Sequence, residues 1–184
     1  MKRMTDIVLS LAALVLLSPV FLLAALAVMA GTGLPIFFRQ TRVGLAGREF
    51  RMFKFRSMAK KAASTGPYFT QTNDARITRV GRFIRRTSID ELPQIFNVLL
   101  GDMSLVGPRP DVPQQKSLYA PADWARRCSV RPGITGLAQV MIRSTGTPQH
   151  RLDLDLNYVS QHSLLLDIKI MWLTLARLNG KGGN

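Results

Sequence analysis

The sequence contains little cysteine, histidine or acid, and each shortage excludes a class of protein. A single cysteine rules out a disulfide framework and fits a reduced compartment, and two histidines argue against a zinc site. Only 11 of the 184 residues are acidic against 25 lysines and arginines, so the formal net charge is +14 at pH 7. That charge predicts an anionic partner: nucleic acid, acidic lipid headgroups or a phosphorylated substrate. The length suits one domain with an appendage.

Charge is missing altogether between Asp6 and Arg39, and the run from Ile7 to Ala30 is almost wholly apolar. As a helix this run would reach about 36 Å, enough to cross a hydrocarbon core of about 30 Å. The sequence therefore predicts contact with a membrane. A cleaved signal peptide is not expected, because the run is too long and no small-residue cleavage site follows it.

Ser18-Pro19 divides the apolar run at its middle into two arms, each of which would reach only about 16 Å as a helix. Proline removes one backbone hydrogen bond, and the Ser18 hydroxyl can satisfy a carbonyl freed nearby. Cations flank the run on both sides: Lys2, Arg3, Arg39 and Arg42. A helix that bends back and leaves by its entry face puts all of them on one side. Two alternatives stay open, a re-entrant hairpin and a proline-kinked transmembrane helix.

The scarce acids include one adjacent pair, Asp90-Glu91, which lies between a basic run and an apolar helix pattern. Pro93 suits the first turn of that helix, where its missing N–H has no partner to lose. The helix dipole and the nearby arginines favour the charged form, so we expect both carboxylates to be ionised at neutral pH. Ionised acids facing arginines can hold a divalent metal or attack phosphorus. The alternative is a plain capping box, formed by Ser88 and Glu91.

Basic residues approach this acid pair from several segments. Between Gln40 and Met58 they alternate with aromatic side chains, and Phe50–Phe55 predicts a strand or turn. Such a segment could stack on nucleic acid, lie at a lipid headgroup layer, grip a diphosphate or form a solvated face. Further on, an arginine recurs at every third position from Arg76, which predicts a helix that brings Arg85 and Arg86 to the acid pair.

Arg109 lies between two prolines, which restrict its backbone. A guanidinium with so little entropy left to lose suits bidentate recognition of a phosphate, whereas a purely structural turn is the alternative. A second loop shaped by glycine and proline, Arg131–Gln139, offers backbone N–H groups to an anion.

These segments, in this order, resemble the monotopic bacterial phosphoglycosyl transferases, also called bacterial sugar transferases. The resemblance runs from the first helix to Asp167-Ile168-Lys169-Ile170, nearly the whole chain. It rests on the Ser-Pro-broken apolar segment and on Lys54-Phe55-Arg56-Ser57-Met58, Asp90-Glu91-Leu92-Pro93-Gln94, Gly107-Pro108-Arg109-Pro110 and Arg131-Pro132-Gly133-Ile134-Thr135-Gly136.

The resemblance implies a mainly α fold with little β. Residues 1–35 are expected to form a re-entrant membrane helix broken at Ser18-Pro19, which favours the hairpin over the span. Residues 36–184 are expected to form a small cytoplasmic catalytic domain with interfacial amphipathic helices. The implied location is monotopic, on the cytoplasmic face of the bacterial inner (plasma) membrane. The chain looks like the minimal single-domain form, without the additional domains of larger members.

The resemblance also implies a reaction. A sugar-1-phosphate passes from a UDP-sugar to a membrane polyprenol phosphate such as undecaprenyl phosphate, and UMP leaves, as the first membrane step of glycoconjugate assembly. In the family the aspartate of the acid pair is the nucleophile, which is Asp90 here, and an aspartyl-phosphosugar intermediate forms in a ping-pong scheme. Glu91 is its catalytic partner, and Mg²⁺ is placed beside both acids.

The family motifs place five side chains at the phosphate and substrate site: Lys54, Arg85, Arg109, Gln139 and Arg143. After Gln139-Val140 the family often has an Asn-Gly-Arg-like turn, whereas this chain reads Met141-Ile142-Arg143, so the arginine keeps its place and the glycine is lost. Membrane phospholipids are expected partners, and nucleic acid is not.

Two segments near the C-terminus allow other interpretations. Asp153-Leu154-Asp155 matches the Asp-x-Asp metal motif of nucleotide-sugar glycosyltransferases, but no Rossmann glycine pattern accompanies it, so carboxylates on a helix face are expected. Leu164–Leu178 is apolar on most faces and predicts either a helix at the membrane interface or a core helix of the domain.

Two rival functions remain. A membrane-tethered protein that binds nucleic acid or anionic lipid would explain the positive charge, but not the acid pair or the Arg109 turn. A glycosyltransferase that breaks the C–O bond would release UDP instead of UMP.

Overall fold

The structure, a computed structural model, describes residues 1–60, 62, 74–142 and 146–178. Within these residues the chain is mainly helical with two small sheets, which confirms the expected mainly α composition with little β. The helices are α1 Lys2–Leu16, α2 Ser18–Thr32, α3 Arg79–Arg86, α4 Gln94–Leu100, α5 Pro121–Arg127, α6 Leu137–Met141, α7 Pro148–Gln161 and α8 Leu164–Leu178. The strands are β1 Phe37–Val43, β2 Glu49–Phe55, β3 Ser104–Val106 and β4 Gly133–Thr135.

The apolar N-terminal run forms two helices, α1 and α2, which meet at Leu17 and are bent by 64°. Pro19 lies in the first turn of α2, where its missing N–H costs no hydrogen bond, and the Ser18 hydroxyl donates to the Val15 carbonyl at 2.8 Å, as predicted. Among the described residues no single helix has the length and apolar composition needed to cross a membrane, and only the bent pair together meets that criterion.

Charged side chains join the start of α1 to distant parts of the chain. Asp6 is buried and accepts hydrogen bonds from the Ser104 hydroxyl and from the Leu105 backbone N–H, both at 3.1 Å. Arg3 donates to two carbonyls in the last turn of α4, where the helix dipole favours a cation. Lys2 forms an ion pair with Asp167 of α8. The cations that precede the apolar run are therefore bound to the domain that follows it.

Helix α2 packs against the elements that carry the acid pair. Ala24 and Val28 of α2 form a buried cluster with Phe55 of β2 and Ile84 of α3. Ile89, the residue before Asp90, packs against this cluster. The turn with the two acids therefore lies directly beside α2.

Two short sheets position the loops around the acids. Strands β1 and β2 form an antiparallel hairpin in which Phe37 lies opposite Phe55, and the strand predicted over residues 50–55 is confirmed. Strands β3 and β4 pair in parallel, with Ser104 opposite Gly133. Gly107 follows β3 at a point where an added Cβ would lie 2.3 Å from the Arg131 carbonyl oxygen, so only glycine allows this close approach.

The arginine-rich helix is shorter than predicted. It begins at Arg79, because the Thr78 hydroxyl accepts a hydrogen bond from the Gly81 N–H and caps the helix there. Arg76 lies before this cap and pairs with Asp74 at 2.6 Å. The first arginine of the repeat is therefore not on the helix.

Helix α8 is a core helix on one face and leaves apolar side chains exposed on the other. Ile170 is fully buried and packs in a cluster with Tyr158 of α7, so one face belongs to the core. Exposed apolar side chains follow the opposite face: Leu165, Ile168, Trp172 and Leu175.

Candidate active site

Asp90 and Glu91 lie in a 3-10 turn, Ile89–Glu91, between α3 and α4. Ser88 enters this turn in the left-handed conformation, with φ at 57°, and its hydroxyl makes no capping hydrogen bond. The capping-box alternative is therefore wrong. The reason is that the turn is separate from α4, which begins only at Gln94, so Glu91 is not in the first turn of a helix capped by Ser88.

Glu91 is bound by two cations. Its Oε1 accepts hydrogen bonds from Lys54 Nζ at 2.8 Å and from Arg109 Nη2 at 2.6 Å, and its Oε2 accepts from Arg109 Nη1 at 3.3 Å. Burial alone would raise the pKa of Glu91, but the charges of Arg109 and Lys54 outweigh it and hold the pKa well below the usual range. Glu91 is therefore ionised at neutral pH, and its single negative charge is shared by both cations.

Asp90 has the opposite environment. It is 8% exposed, and its carboxylate accepts no hydrogen bond from any of the described residues. Burial, opposed by the charge of Lys54, raises the pKa of Asp90 to about 6. The charges of Arg85 and Arg109 lower this pKa, as the sequence predicted, but desolvation outweighs them and the net shift is upward. At pH 7 Asp90 is still mostly ionised, and its oxygens are free to react.

The start of the loop that carries Arg109 is hydrogen-bonded to strand β4. The Gly107 N–H donates to the Thr135 carbonyl, and the Gly133 N–H donates to the Pro108 carbonyl, both at 2.9 Å, so the two loops shaped by glycine and proline are bonded to each other. Arg109 therefore reaches Glu91 from a loop whose start is fixed by β3 and β4.

Arg42 is a further cation of the site, and its role was not predicted from the sequence. Its Nη1 donates to the Pro110 carbonyl at 2.8 Å, next to Arg109. Burial, together with the charge of Arg109, lowers the pKa of Arg42 to about 10. Its place among several similar arginines in β1 and β2 gave no signal that would distinguish it.

The outcome differs among the other three predicted side chains, Arg85, Gln139 and Arg143. Arg85 lowers the pKa of Asp90 through its charge, without a hydrogen bond to either acid among the described residues. Gln139 lies in α6 and donates to the Ile134 carbonyl at 3.0 Å, and no contact with the acid pair is seen in the described part of the chain. Arg143 lies outside the described residues.

The Asp-x-Asp motif does not present two carboxylates to a metal. Asp155 is buried and pairs with Arg127 at 2.9 Å, whereas Asp153 is exposed and accepts from Gln149 at 2.9 Å. The expectation of two carboxylates on a helix face is therefore correct only in part. Asp153 lies on the helix surface, whereas Asp155 belongs to a buried ion-pair network.

The acid pair fits Mg²⁺ through Asp90 and less well through Glu91. Within residues 1–60, 62, 74–142 and 146–178, no three histidine, cysteine or acidic side chains come together as a metal cluster. Glu91 has both oxygens engaged by cations, whereas those of Asp90 accept no hydrogen bond from the residues that the structure describes. Mg²⁺ is commonly held by one or two carboxylates together with substrate phosphates. The described residues thus suit an ion bound by Asp90 and a diphosphate.

The chain is similar to known proteins over almost its entire length. The family model for bacterial sugar transferases matches residues 1–181. A UDP-glucose:undecaprenyl-phosphate glucose-1-phosphate transferase from Xanthomonas campestris pv. campestris is 47% identical over 98% of this chain and 39% of its own length. A UDP-N-acetylgalactosamine-undecaprenyl-phosphate N-acetylgalactosaminephosphotransferase from Aeromonas hydrophila is 41% identical over 95% of this chain and 42% of its own length.

The chain thus spans about two fifths of the length of these relatives. A protein of Bacillus subtilis (strain 168), described as uncharacterized sugar transferase EpsL, is closer in length: it is 41% identical over 97% of this chain and 87% of its own length.

Proposed function

Because the chain belongs to the bacterial sugar transferase family, we propose that it transfers a sugar-1-phosphate from a UDP-sugar to a polyprenol phosphate and releases UMP. One observation carries this proposal: of two adjacent carboxylates, Glu91 is bound by Lys54 and Arg109, while Asp90 is buried and accepts no hydrogen bond from the described residues. One acid organises the cations, and the other is available as a nucleophile.

The reaction has two steps. The Asp90 carboxylate attacks the sugar-linked phosphorus of the UDP-sugar, an oxygen–phosphorus bond forms, and the bond from that phosphorus to the bridging oxygen breaks, so that UMP leaves with the electron pair. An oxygen of the polyprenol phosphate then attacks the same phosphorus, and the bond to Asp90 breaks. The carboxylate is regenerated, and the product is a polyprenol diphosphate sugar. A covalent intermediate thus divides one transfer between two anions into two displacements.

The cations make the approach of two anions possible. A carboxylate and a diphosphate repel each other strongly in a partly buried site unless positive charge lies between them. Lys54 has three N–H donors and Arg109 has five, so the hydrogen bonds to Glu91 leave donors on both side chains for phosphate oxygens. Glu91 acts as a positioning residue, because it holds the two cations next to Asp90.

We further propose that Asp90 and the diphosphate oxygens hold Mg²⁺, which when bound neutralises negative charge on the diphosphate. Removal of divalent ions with EDTA should then lower the rate of adduct formation by about 100-fold, and added MgCl₂ should restore it. The rate is measured by quenching the reaction of purified protein with a UDP-sugar. Full activity in EDTA would contradict a role for the metal.

The acceptor is a lipid, so the site is expected at a membrane surface, and we propose that the protein is monotopic on the cytoplasmic face of the bacterial inner membrane. Two observations support a re-entrant hairpin. The start of α1 is bonded to α4 and α8 by Arg3 and Lys2, and Gly31 at the end of α2 lies beside Val80 of α3. Both ends of the hairpin therefore meet the same domain, while Val15 and Leu16 at the bend are exposed and apolar.

Single cysteines, introduced in a Cys128→Ser background, test this topology. Met4, Val15 and Leu34 are 68%, 76% and 63% exposed, so accessibility in the protein itself is similar at all three positions. In sealed vesicles of one orientation, a membrane-impermeant maleimide should label Met4→Cys and Leu34→Cys from the same side, and Val15→Cys from neither side. Labelling of the first two from opposite sides would indicate a spanning helix.

The proposed function is tested by intact mass spectrometry without acceptor. Protein in detergent is incubated with Mg²⁺ and a panel that includes UDP-glucose and UDP-N-acetylgalactosamine, and a mass increase of one phosphosugar is expected with at least one donor. UMP should appear in equal amount. Release of UDP instead would favour a glycosyltransferase, and no adduct with any donor would leave a membrane-tethered nucleic-acid or anionic-lipid binder as the better explanation of the charge.

A further inference from the structure

We propose that Arg127 is a positioning residue for Arg109: it holds the backbone of the Arg109 loop and thereby aims the Arg109 guanidinium at the diphosphate. The inference rests on the proposed function, because it assigns Arg127 a role in the same phosphate site. Arg127 itself lies in α5, is 5% exposed and is bonded on all sides by protein groups, so it does not reach the substrate.

Each nitrogen of the Arg127 guanidinium donates to a different acceptor. Nη2 donates to the Arg109 carbonyl at 2.6 Å, Nη1 to Asp111 Oδ2 at 2.6 Å and Nε to Asp155 Oδ2 at 2.9 Å. The Tyr119 hydroxyl also donates to Asp111 Oδ2, at 2.8 Å. Arg127 of α5 thus connects Asp155 of α7 with Arg109 and Asp111 of the loop.

The loop is held at three successive carbonyls. Arg127 binds that of Arg109, Arg42 binds that of Pro110 at 2.8 Å, and the Val43 N–H donates to that of Asp111 at 2.9 Å. Two of these three donors are buried or half-buried guanidinium groups. A loop held at every residue cannot rotate to turn Arg109 away from the acid pair.

The charges in this network show why an arginine is needed. Asp155 and Asp111 are both largely buried, and both pair with the single positive charge of Arg127. A lysine would keep the positive charge, but its single nitrogen cannot donate in the three directions that the planar guanidinium serves. Lysine at position 127 therefore keeps the positive charge but loses the three-way hydrogen bonding, so this substitution separates the two contributions.

Arg126 provides a matched control, because it lies beside Arg127 on α5, is exposed and makes no side-chain hydrogen bond in the described part of the chain. Arg127→Met should lower kcat/KM for the UDP-sugar by about 100-fold, since small misplacements of a binding group have effects of this size. Arg127→Lys should lower it by about tenfold. Arg126→Met should leave it unchanged. Arg127→Lys serves as the test variant if Arg127→Met does not fold.

A double-mutant cycle with Arg109→Lys separates positioning from a general structural role. If Arg127 acts through Arg109, then Arg127→Lys should have little further effect once Arg109 has been replaced. Hydrogen exchange supplies a readout independent of activity: in Arg127→Lys, the backbone amides between residues 107 and 112, prolines excepted, should exchange faster, and those of residues 89–91 should be unchanged.

The double-mutant cycle and the exchange measurement can each overturn the positioning role of Arg127. The same fold-loss from Arg127→Lys in the native and Arg109→Lys backgrounds, or unchanged exchange in residues 107–112, would overturn the positioning role while leaving the proposed function intact. Failure of the native protein to form an adduct with any UDP-sugar would instead overturn the proposed function, and this inference with it.

Discussion

In Asp90→Asn, sugar-phosphate transfer should fall by about 10⁴-fold or more, and no phosphosugar adduct should form. The amide nitrogen and oxygen of asparagine carry no negative charge and cannot displace UMP from phosphorus. The surrounding cations stay in place, because Lys54 and Arg109 are bound to Glu91 and not to Asp90. In metal-free buffer, binding of the UDP-sugar to these two cations should therefore be retained, and the chemical step should be lost.

The measurement is intact mass spectrometry of the adduct, together with the rate of UMP release. Asp153→Asn is the matched control, since that aspartate is exposed on α7 and bonded only to Gln149 among the described residues. It should transfer sugar-phosphate like the native protein. An adduct that persists in Asp90→Asn would place the nucleophile elsewhere, and unchanged binding of nucleic acid or anionic lipid, without any transfer activity in the native protein, would favour the rival function.

The same variant should change stability with pH in a definite direction. The pKa of Asp90 is raised from 3.8 to about 6 by burial, so the favourable contribution of this group is present below pH 3.8 and is lost as pH rises through 6. At pH 8 the native protein holds a poorly solvated charge that asparagine lacks. In metal-free buffer Asp90→Asn should therefore be more stable than the native protein at pH 8, by up to about 3 kcal/mol, and the difference should shrink at lower pH.

Thermal unfolding in detergent at several pH values measures this difference. Greater stability of an inactive variant is the usual result where a reactive group is held in an unfavourable environment. If Asp90→Asn were less stable than the native protein at pH 8, Asp90 would be a structural acid.

In Glu91→Gln, both catalysis and stability should suffer. The neutral amide removes the charge that compensates Lys54 and Arg109, and its NH₂ group faces two donors. Removing one partner of a fully buried ion pair costs about 3–5 kcal/mol. The Glu91 side chain is 21% exposed, so we expect a smaller loss of about 2–4 kcal/mol in the free energy of unfolding.

Transfer in Glu91→Gln should fall by about 10²- to 10³-fold, as when a preorganised group of the site is lost. The pattern should differ from that of Asp90→Asn, because displaced cations weaken binding of the UDP-sugar and so raise its KM as well. Glu49→Gln, at the only other glutamate of the chain, is the control: Glu49 is exposed on β2, and the change should affect neither property. A Glu91→Gln protein with native KM and stability would show that Glu91 does not organise the cations.

Much of the site could be predicted, since short motifs carry it. Lys54, Arg109 and the acid pair come from separate segments, and the family resemblance placed them in one site. In the structure Lys54 and Arg109 both donate to Glu91. The strand over residues 50–55 and the role of Ser18 also followed from local rules, namely residue pattern and the hydrogen bond that proline removes.

Other features could not be predicted because they depend on partners far away in the sequence. Arg127 looks no different from Arg126 beside it, and only the packing of α5 against α7 and the Arg109 loop separates them. Lys2, Arg3 and Asp6 looked like the polar flank of a membrane helix, yet each is bonded to residues about a hundred positions away or more.

The sequence by itself determined which groups are present: a scarce acid pair, the cations around it and an apolar run with a proline at its centre. Only the tertiary structure decided which of the two acids the cations bind, since neighbouring residues in the chain give adjacent carboxylates the same surroundings. Residues from α2, β2 and α3 bury the turn, while Lys54 and Arg109 reach only Glu91. Desolvation therefore acts on Asp90 without hydrogen-bonded compensation, and burial of this kind depends on three-dimensional packing and not on neighbouring residues in the chain.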